Sequence, residues 1–312
     1  MSKVSEIREN ISRIIIGKDE TVTLVLTAML AGGHVLLEDV PGTGKTMLAK
    51  SVAKSIDAKY NRIQFTPDLL PSDITGLNVY QAGKGEFVFN PGPVFCNILL
   101  ADEINRATPR TQAGLLECME ERQVTIDGVT RKLDEPFFVI ATQNPIETSG
   151  TFPLPEAQLD RFLMKLSMGL PGKDEEVGIL DRFLGEKKNE KLESLQAVAS
   201  LSDIEEMKEK VLKVEVHQQI REYIADIVIA TRKRDDVAQG VSPRGSLALM
   251  NCAQAYSYVQ GRDYVVPEDV KKLAVPVLAH RLYTGNSYGA VKDTKEIIEE
   301  IISEVPVPTE EF

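Results

Sequence analysis

One segment near the amino terminus constrains the fold more than any other part of the chain. An apolar run stops at Asp39, a glycine-rich turn follows, and Lys45 and Thr46 open a helical pattern. Backbone amides around Gly42 and Gly44 can surround phosphate oxygens, because glycine lets the main chain approach closely. Lys45 can reach the β- and γ-phosphates, the Thr46 hydroxyl can hold Mg²⁺, and the helix adds its positive amino-terminal end. The layout predicts a phosphate-binding loop between a strand and a helix.

The loop departs from the usual pattern at one position. Asp39 stands where the first glycine of G-x-x-x-x-G-K-[ST] is expected. That glycine ends the strand and contacts no phosphate, so its loss weakens the match without removing the chemistry. The alternative is a glycine-rich strand-to-helix turn that binds nothing.

Two further strands are predicted to end in polar side chains. The apolar run at 98–101 is followed by Asp102 and Glu103, at the strand end where ligands bind in open α/β sheets. Asp102 would hold Mg²⁺ through its water shell, and Glu103 would orient and activate the attacking water. Asn144 follows the run 137–142 and could reach the γ-phosphate or that water. The alternatives are an acidic helix start and a turn asparagine before Pro145.

The periodicity predicts an α/β fold with a mostly parallel sheet and helices on both faces. The predicted strands are 35–38, 60–65, 97–101, 137–142 and 165–168. Two hairpins interrupt the alternation, at 77–89 around Gly83-Lys84-Gly85 and at 123–133 around Asp127-Gly128. Nucleotide binding needs neither hairpin, so both are candidates for work on a partner; otherwise they pack on a neighbouring surface.

The pattern changes near residue 171, where a second, helical domain is predicted to begin. The expected domains are therefore 1–170, which would bind nucleotide, and 171–312, with a solvated loop or helix end at 185–192. The predicted helices are 174–184, 202–213, 217–234, 242–260, 267–283 and 294–303. Ser202 is the expected amino-terminal cap of one helix with Glu205 three residues on, and Pro267 suits a first turn.

Composition excludes some classes of function. The chain has 36 Lys and Arg against 47 Asp and Glu, a net charge of -11, which argues against wide contact with a nucleic-acid backbone but not against a local basic patch. The cysteines have no C-x-x-C spacing and are expected to be buried thiols, and the scattered histidines form no metal cluster. The apolar stretch 22–37 is broken by Gly32-Gly33, which predicts a helix, a turn and a strand instead of a membrane span. A cytoplasmic location is expected.

Taken together, these motifs resemble those of the AAA+ ATPases, and more narrowly those of the MoxR family. The resemblance covers nearly the whole chain and is carried by the runs 38–46, 101–107, 141–145, 154–162 and 242–244. It implies that Asn144 is the first sensor, that Arg161 is an arginine finger entering the adjacent subunit, and that Arg244 is the second sensor, reaching nucleotide from the lid. The implied nucleotide-binding residues are Ile16, Gly17, Pro41, Gly42, Thr43, Gly44, Lys45, Thr46, Met47 and Arg244.

The two arginines also have a physical rationale. A guanidinium keeps its charge and presents a rigid fork, so it can stabilise the negative charge on a transferred phosphoryl group. The alternatives are a surface salt bridge from Arg161 to Asp160 or Glu156, and an Arg244 at a helix start with no ligand.

The resemblance further implies ATP and Mg²⁺ as cofactors and a ring of subunits, with six expected. The two hairpins match inserts that face the ring's central channel. A chaperone-like role in maturing partner complexes or inserting cofactors is implied, with a von Willebrand factor A domain protein as an expected partner. Three alternatives stay open: the motor subunit of a metal chelatase, a DNA-associated motor, and a nucleotide switch without catalysis.

Overall fold

The computed structural model describes residues 2–146, 150–183, 190–284 and 292–308. The strands are β1 (Val35–Glu38), β2 (Tyr60–Gln64), β3 (Gly76–Gln81), β4 (Glu86–Pro91), β5 (Ile98–Asp102), β6 (Gln123–Ile126), β7 (Val129–Lys132), β8 (Phe138–Gln143) and β9 (Met164–Leu166). The helices are α1 (Lys3–Ser12), α2 (Asp19–Leu30), α3 (Lys45–Ser55), α4 (Pro71–Thr75), α5 (Pro109–Glu121), α6 (Glu156–Leu159), α7 (Lys173–Phe183), α8 (Glu190–Ser194), α9 (Leu201–Val211), α10 (Gln218–Lys233), α11 (Pro243–Val259), α12 (Pro267–Leu278) and α13 (Thr294–Glu304).

Five strands form one parallel sheet in the order β2-β5-β8-β1-β9. Successive side chains of a strand point to opposite faces. Val35 and Leu37 accordingly join the apolar cluster that contains α2, α3 and the carboxyl-terminal helices, whereas Leu36 joins a second cluster with α5. Because both faces are covered, the central strands can be almost wholly apolar. Because the strands are parallel, all five carboxyl ends lie at one edge of the sheet.

The α/β fold predicted from the sequence is confirmed. All five predicted sheet strands are present: β1 matches its predicted bounds and the other four are shifted by one or two residues. Both predicted hairpins form as the antiparallel pairs β3–β4 and β6–β7. The stretch 22–37 is a helix, a turn with Gly32 at a φ of +75°, and a strand. Cys96, Cys118 and Cys252 are buried free thiols, as expected.

The six helices predicted in the carboxyl-terminal region form, with most ends shifted by one or two residues, and two details need correction. The cap of α9 is Ser200 with Asp203, not Ser202 with Glu205. Both pairs have the spacing of a capping box, but the hydrogen bonds of the box form between Ser200 and Asp203. The helix from Pro267 ends at Leu278 instead of Tyr283, and a 3₁₀ turn, Ala279–Arg281, follows. Pro276 lacks a backbone N–H, which weakens the last helical turn.

The predicted loop at 185–192 lies mostly outside the described residues, and α8 begins at Glu190. Within the described part of the chain, every helix is too short or too polar to cross a bilayer.

Candidate active site

The turn between β1 and α3 presents a cluster of backbone amides at the carboxyl edge of the sheet. Gly42 and Gly44 adopt φ angles of +90° and +93°, a region that strains any residue with a side chain. The amides of 42–46 donate to no other group within the described residues. They stand at the positive end of α3, so the loop has the unpaired donors that a polyphosphate requires.

Lys45 closes this loop from inside. Its Nζ donates to the carbonyl oxygens of Asp39 at 2.8 Å and Val40 at 3.3 Å. Partial burial lowers the pKa of Lys45, while the carboxylates of Asp39, Asp102 and Glu103 act in the opposite direction. The ammonium group therefore lies among carboxylates and carbonyls at the place where phosphate charge would be neutralised.

Asp39, the residue that breaks the usual loop pattern, ties the loop to the end of β9. Its buried carboxylate accepts hydrogen bonds from Ser167 Oγ at 2.6 Å, Met168 N at 2.7 Å and Gly169 N at 3.1 Å. A glycine could make none of these bonds. The departure from the pattern thus adds a structural link between the phosphate loop and the segment leading to the carboxyl-terminal helices.

Thr142 joins the ends of β5 and β8. Its hydroxyl donates to Asp102 Oδ1 at 2.6 Å and accepts from the backbone N–H of Glu103 at 2.9 Å. The other carboxylate oxygen of Asp102 pairs with Arg62 Nη2 at 2.5 Å. Asp102 is thereby fixed in orientation beside Lys45, where a carboxylate could hold Mg²⁺ through water.

Glu103 occupies a strained position next to Asp102. Its φ and ψ of 57° and 49° are left-handed, which is uncommon for a residue with a side chain and is concentrated at functional sites. Glu103 Oε2 accepts from Gln64 Nε2 at 2.7 Å and Arg106 Nε at 2.9 Å. The carboxylate is therefore held at the sheet edge in a defined orientation.

Asn144 and the pair Ile16-Gly17 have local partners. Asn144 follows β8 at the same sheet edge, and its side-chain oxygen accepts from the N–H of Ile146 at 3.2 Å, a turn contact. Gly17, at a φ of +68°, leaves room for the Glu175 side chain of α7, which pairs with Lys18 at 3.1 Å. The segment around Gly17 thus contacts the start of the carboxyl-terminal region.

Arg161 and Arg244 lie together at the other edge of the sheet. They share Glu120 at the end of α5, with Arg161 Nε 3.1 Å from Oε2 and Arg244 Nη2 2.5 Å from Oε1. The hydrogen bond from Arg244, together with the charge of Arg161, holds the pKa of Glu120 below its usual value. The sequence suggested Asp160 or Glu156 as the salt-bridge partner of Arg161, and the partner is instead Glu120.

Strand direction separates the two groups of candidate residues. Arg161 precedes β9, which pairs with β1 in parallel from Met164 and Val35 onward, whereas Lys45 follows the end of β1. The four residues of β1 alone span roughly 13 Å at about 3.3 Å each. Asp102, Glu103, Asn144 and the phosphate loop therefore share the carboxyl edge, and the two arginines do not.

Several residues of the site had no sequence signal. Thr142 lies inside an apolar strand pattern, and Glu120 is one acid among several on a helix. Arg62 and Gln64 alternate at the end of β2, and that polar alternation could have indicated a role at the sheet edge.

Two family models match the chain. A model described as the ATPase family associated with various cellular activities (AAA) covers residues 34–164, and an AAA lid domain model covers residues 229–301. The first includes the phosphate loop and the Asp102-Glu103 pair, and the second includes Arg244.

Similar proteins extend the match over almost the full length. The chain is 51% identical to Uncharacterized protein YeaC of Bacillus subtilis (strain 168), over 97% of this chain and 94% of that protein. It is 43% identical to Chaperone MoxR1 of Mycobacterium tuberculosis, over 94% and 78% of the two chains. It is 31% identical to Protein MoxR of Paracoccus denitrificans, over 95% and 93%. A crystal structure of a candidate ATPase from Cytophaga hutchinsonii superimposes with a TM-score of 0.90 at 38% identity, over 98% and 95%.

Proposed function

This chain belongs to the MoxR family of AAA+ ATPases, and we propose that it hydrolyses ATP to ADP and phosphate with Mg²⁺ at the interfaces of a ring. Family membership implies nucleotide binding. The chemistry proposed for the site rests on the convergence of a phosphate cradle, a lysine and two carboxylates at one sheet edge. We propose that the boundary between the nucleotide-binding domain, 1–170, and the helical lid, 171–312, follows Leu170, directly after the segment 167–169 that bonds to Asp39.

The residues at the carboxyl edge supply one half of the proposed reaction centre. The loop amides and Lys45 would hold the phosphates, and Thr46 and Asp102 would hold Mg²⁺, which supplies charge neutralisation on the phosphate oxygens. Glu103 would accept the proton of the attacking water, and Asn144 would help to place that water. Ile16, Gly17, Pro41 and Met47 would line the nucleotide around its base and sugar.

The position of Arg161 is the observation that carries the proposal of a ring. An arginine at the amino edge of the sheet lies too far from its own phosphate loop to contact a bound phosphate there. It can act on phosphate only if a neighbouring subunit presents its loop to this edge, which is a heterologous, head-to-tail contact. Arg244 shares Glu120 with Arg161, so we assign both guanidinium groups to the neighbour's nucleotide. A closed ring of six is proposed.

The hairpins are the proposed contact with a client protein. In β3–β4 the side chains of Tyr80 and Phe87 are 55% and 71% exposed, with ring centroids 5.3 Å apart. The two hairpins are joined, because Asn78 donates to Asp127 at 2.6 Å and the Arg131 guanidinium lies 4.0 Å above the Phe89 ring. Connected hairpins with an apolar surface suit a chaperone-like motor that matures partner complexes or inserts cofactors or metals.

The relative from Mycobacterium tuberculosis, named a chaperone, supports this role. A von Willebrand factor A domain protein is the proposed partner and the cytoplasm the proposed location. The net charge of -11 disfavours nucleic acid as a substrate.

Mixed rings test the proposal. Arg161→Ala and Glu103→Gln should each bind ATP, and each should lower steady-state hydrolysis by about 10²-fold or more. Equimolar mixing should restore part of the activity, because about one quarter of the interfaces then pair an intact Glu103 with an intact Arg161 from the neighbour. Native mass spectrometry monitors mixed-ring formation. Mixed rings without recovered ATPase activity would refute the assignment of Arg161 to the neighbour.

A further inference from the structure

A third arginine, Arg281, is buried next to Arg161 and Arg244, at the edge of the sheet where the strands begin. It ends the 3₁₀ turn Ala279–Arg281, and its side chain is only 3% exposed. Burying a guanidinium is costly unless its donors are satisfied. Arg281 Nη1 donates to the carbonyl oxygen of Val277 and lies 2.9 Å from His280 Nε2 within the lid. The other bonds of Arg281 all go to one short segment of the α/β domain.

That segment is 160–163, which carries Arg161 and belongs to neither α6 nor β9. Arg281 Nε donates to Asp160 Oδ1 at 2.6 Å. Nη2 donates to the carbonyl oxygens of Asp160 at 3.2 Å and Phe162 at 2.8 Å, and Nη1 donates to that of Leu163 at 3.2 Å. One lid side chain thus fixes the backbone on both sides of Arg161.

Two neighbours in the lid reinforce this contact. A ring nitrogen of His280 lies 3.0 Å from the carbonyl oxygen of Phe162, and the Tyr283 hydroxyl donates to the carbonyl oxygen of Glu156 at 3.0 Å. The segment that carries Arg161 is therefore attached to the lid of its own subunit over the whole stretch from Glu156 to Leu163. Arg281 makes most of these bonds.

We propose that Arg281 is a positioning residue that holds Arg161 in the orientation needed at the neighbour's nucleotide, so that the lid of one subunit sets the activity of the adjacent site. The inference rests on the proposed role of Arg161 across the subunit boundary. Arg281 contacts no nucleotide itself; it acts through the backbone of 160–163. A lysine at this position keeps the charge but has one nitrogen, which cannot serve the carboxylate and three carbonyl oxygens together.

The test uses Arg281→Lys, with Arg281→Ala as a second variant and Arg262→Lys as the matched control. Arg262 is also a lid arginine with a carboxylate partner, Asp269 at 2.5 Å, and its bonds among the described residues stay within the lid. Misplacing a reacting group by about 1 Å can cost about 10²-fold in rate. Arg281→Lys should therefore bind ATP with unchanged affinity and hydrolyse it roughly 10- to 100-fold more slowly, and Arg262→Lys should not show this loss.

Mixing distinguishes positioning from a general structural defect. Arg281→Lys protein mixed with Glu103→Gln protein should recover activity, up to about one quarter of the wild-type rate per site. The Arg281→Lys chain keeps an intact phosphate loop and Glu103, and the Glu103→Gln chain supplies a correctly held Arg161. Mixed with Arg161→Ala it should recover nothing, since both chains lack a working finger. If Arg281→Ala does not fold, the lysine variant alone carries the test.

Three outcomes would overturn the inference. The first is wild-type turnover by Arg281→Lys. The second is that Arg281→Lys mixed with Glu103→Gln recovers no ATPase activity, although Arg161→Ala mixed with Glu103→Gln does. That result would refute the role of Arg281 and leave the proposed function intact. The third is failure of that reference pair itself, which refutes both the trans role of Arg161 and the role of Arg281.

Discussion

Replacing Asp39 by glycine, the residue usual at this position of a phosphate loop, should destabilise this protein. The carboxylate of Asp39 receives three hydrogen bonds from 167–169, and the residue is buried. Glycine removes every one of them and leaves the buried N–H of Met168 without a partner. The loop itself keeps its internal closure, because Lys45 binds the backbone carbonyl of residue 39 and not its side chain.

The magnitude follows from which donors can be hydrated again. Ser167 is exposed and Gly169 half-buried, so water can replace their bonds at a loss of about 1 kcal/mol together. The bond from Met168 N to a carboxylate is buried and contributes roughly 2–3 kcal/mol. Glycine adds about 0.5–1 kcal/mol of backbone entropy to the unfolded chain. The free energy of unfolding should fall by about 4 kcal/mol.

Thermal unfolding followed by circular dichroism measures this change. At roughly 2.1 cal/mol/K of unfolding entropy per residue, about 4 kcal/mol lowers the Tm of the 312-residue chain by about 6 °C. Asp57→Gly is the matched control: Asp57 is exposed at a φ of +50°, so glycine there should leave the Tm unchanged or raise it. An Asp39→Gly protein that melts within about 1 °C of wild type would refute the assigned bonds.

Two further predictions concern binding and pH. Lys45→Ala should lose ATP affinity by at least about 10²-fold in equilibrium titration, since a charge-assisted bond of roughly 3 kcal/mol is removed; unchanged affinity would argue against the phosphate loop. Burial lowers the pKa of His34 from 6.5 to about 3, so on acidification the unfolded chain binds the proton before the folded chain does. The contribution of neutral His34 to the free energy of unfolding is therefore fully present above pH 6.5 and is lost as the pH falls from 6.5 to about 3. Urea unfolding of His34→Gln should show a slope with pH about 1.4 kcal/mol per unit smaller than wild type between pH 5 and 6, and equal slopes would contradict this.

Much of the fold could be predicted because local patterns determine it. The apolar runs ending at Asp39 and Asp102 mark strands, and parallel strands place their carboxyl ends together. The phosphate loop and the two carboxylates therefore come to one edge with no knowledge of long-range contacts. Asp-Gly at 127–128 fixed a hairpin in the same local way.

What could not be predicted depends on pairings between distant residues. Asp39 bonds to residues about 130 positions later, and Glu120 binds two arginines from distant parts of the chain. Nothing in the spacing distinguishes Glu120 from the nearer Asp160 and Glu156 as the partner of Arg161. Likewise, Ser200 and Ser202 both satisfy the capping pattern, and only the completed helix selects between them.

The short strand β9 connects the two edges of the site. Its amino end begins at Met164, directly after the segment that Arg281 attaches to the lid. Its carboxyl end runs into 167–169, which Asp39 attaches to the phosphate loop. Only three residues, about 10 Å of extended chain, separate these attachments. Because a strand paired within a sheet hardly stretches, we expect a shift at the phosphate loop to be passed along β9 to the segment that carries Arg161, and, with the role proposed for Arg161, to the site of the neighbouring subunit.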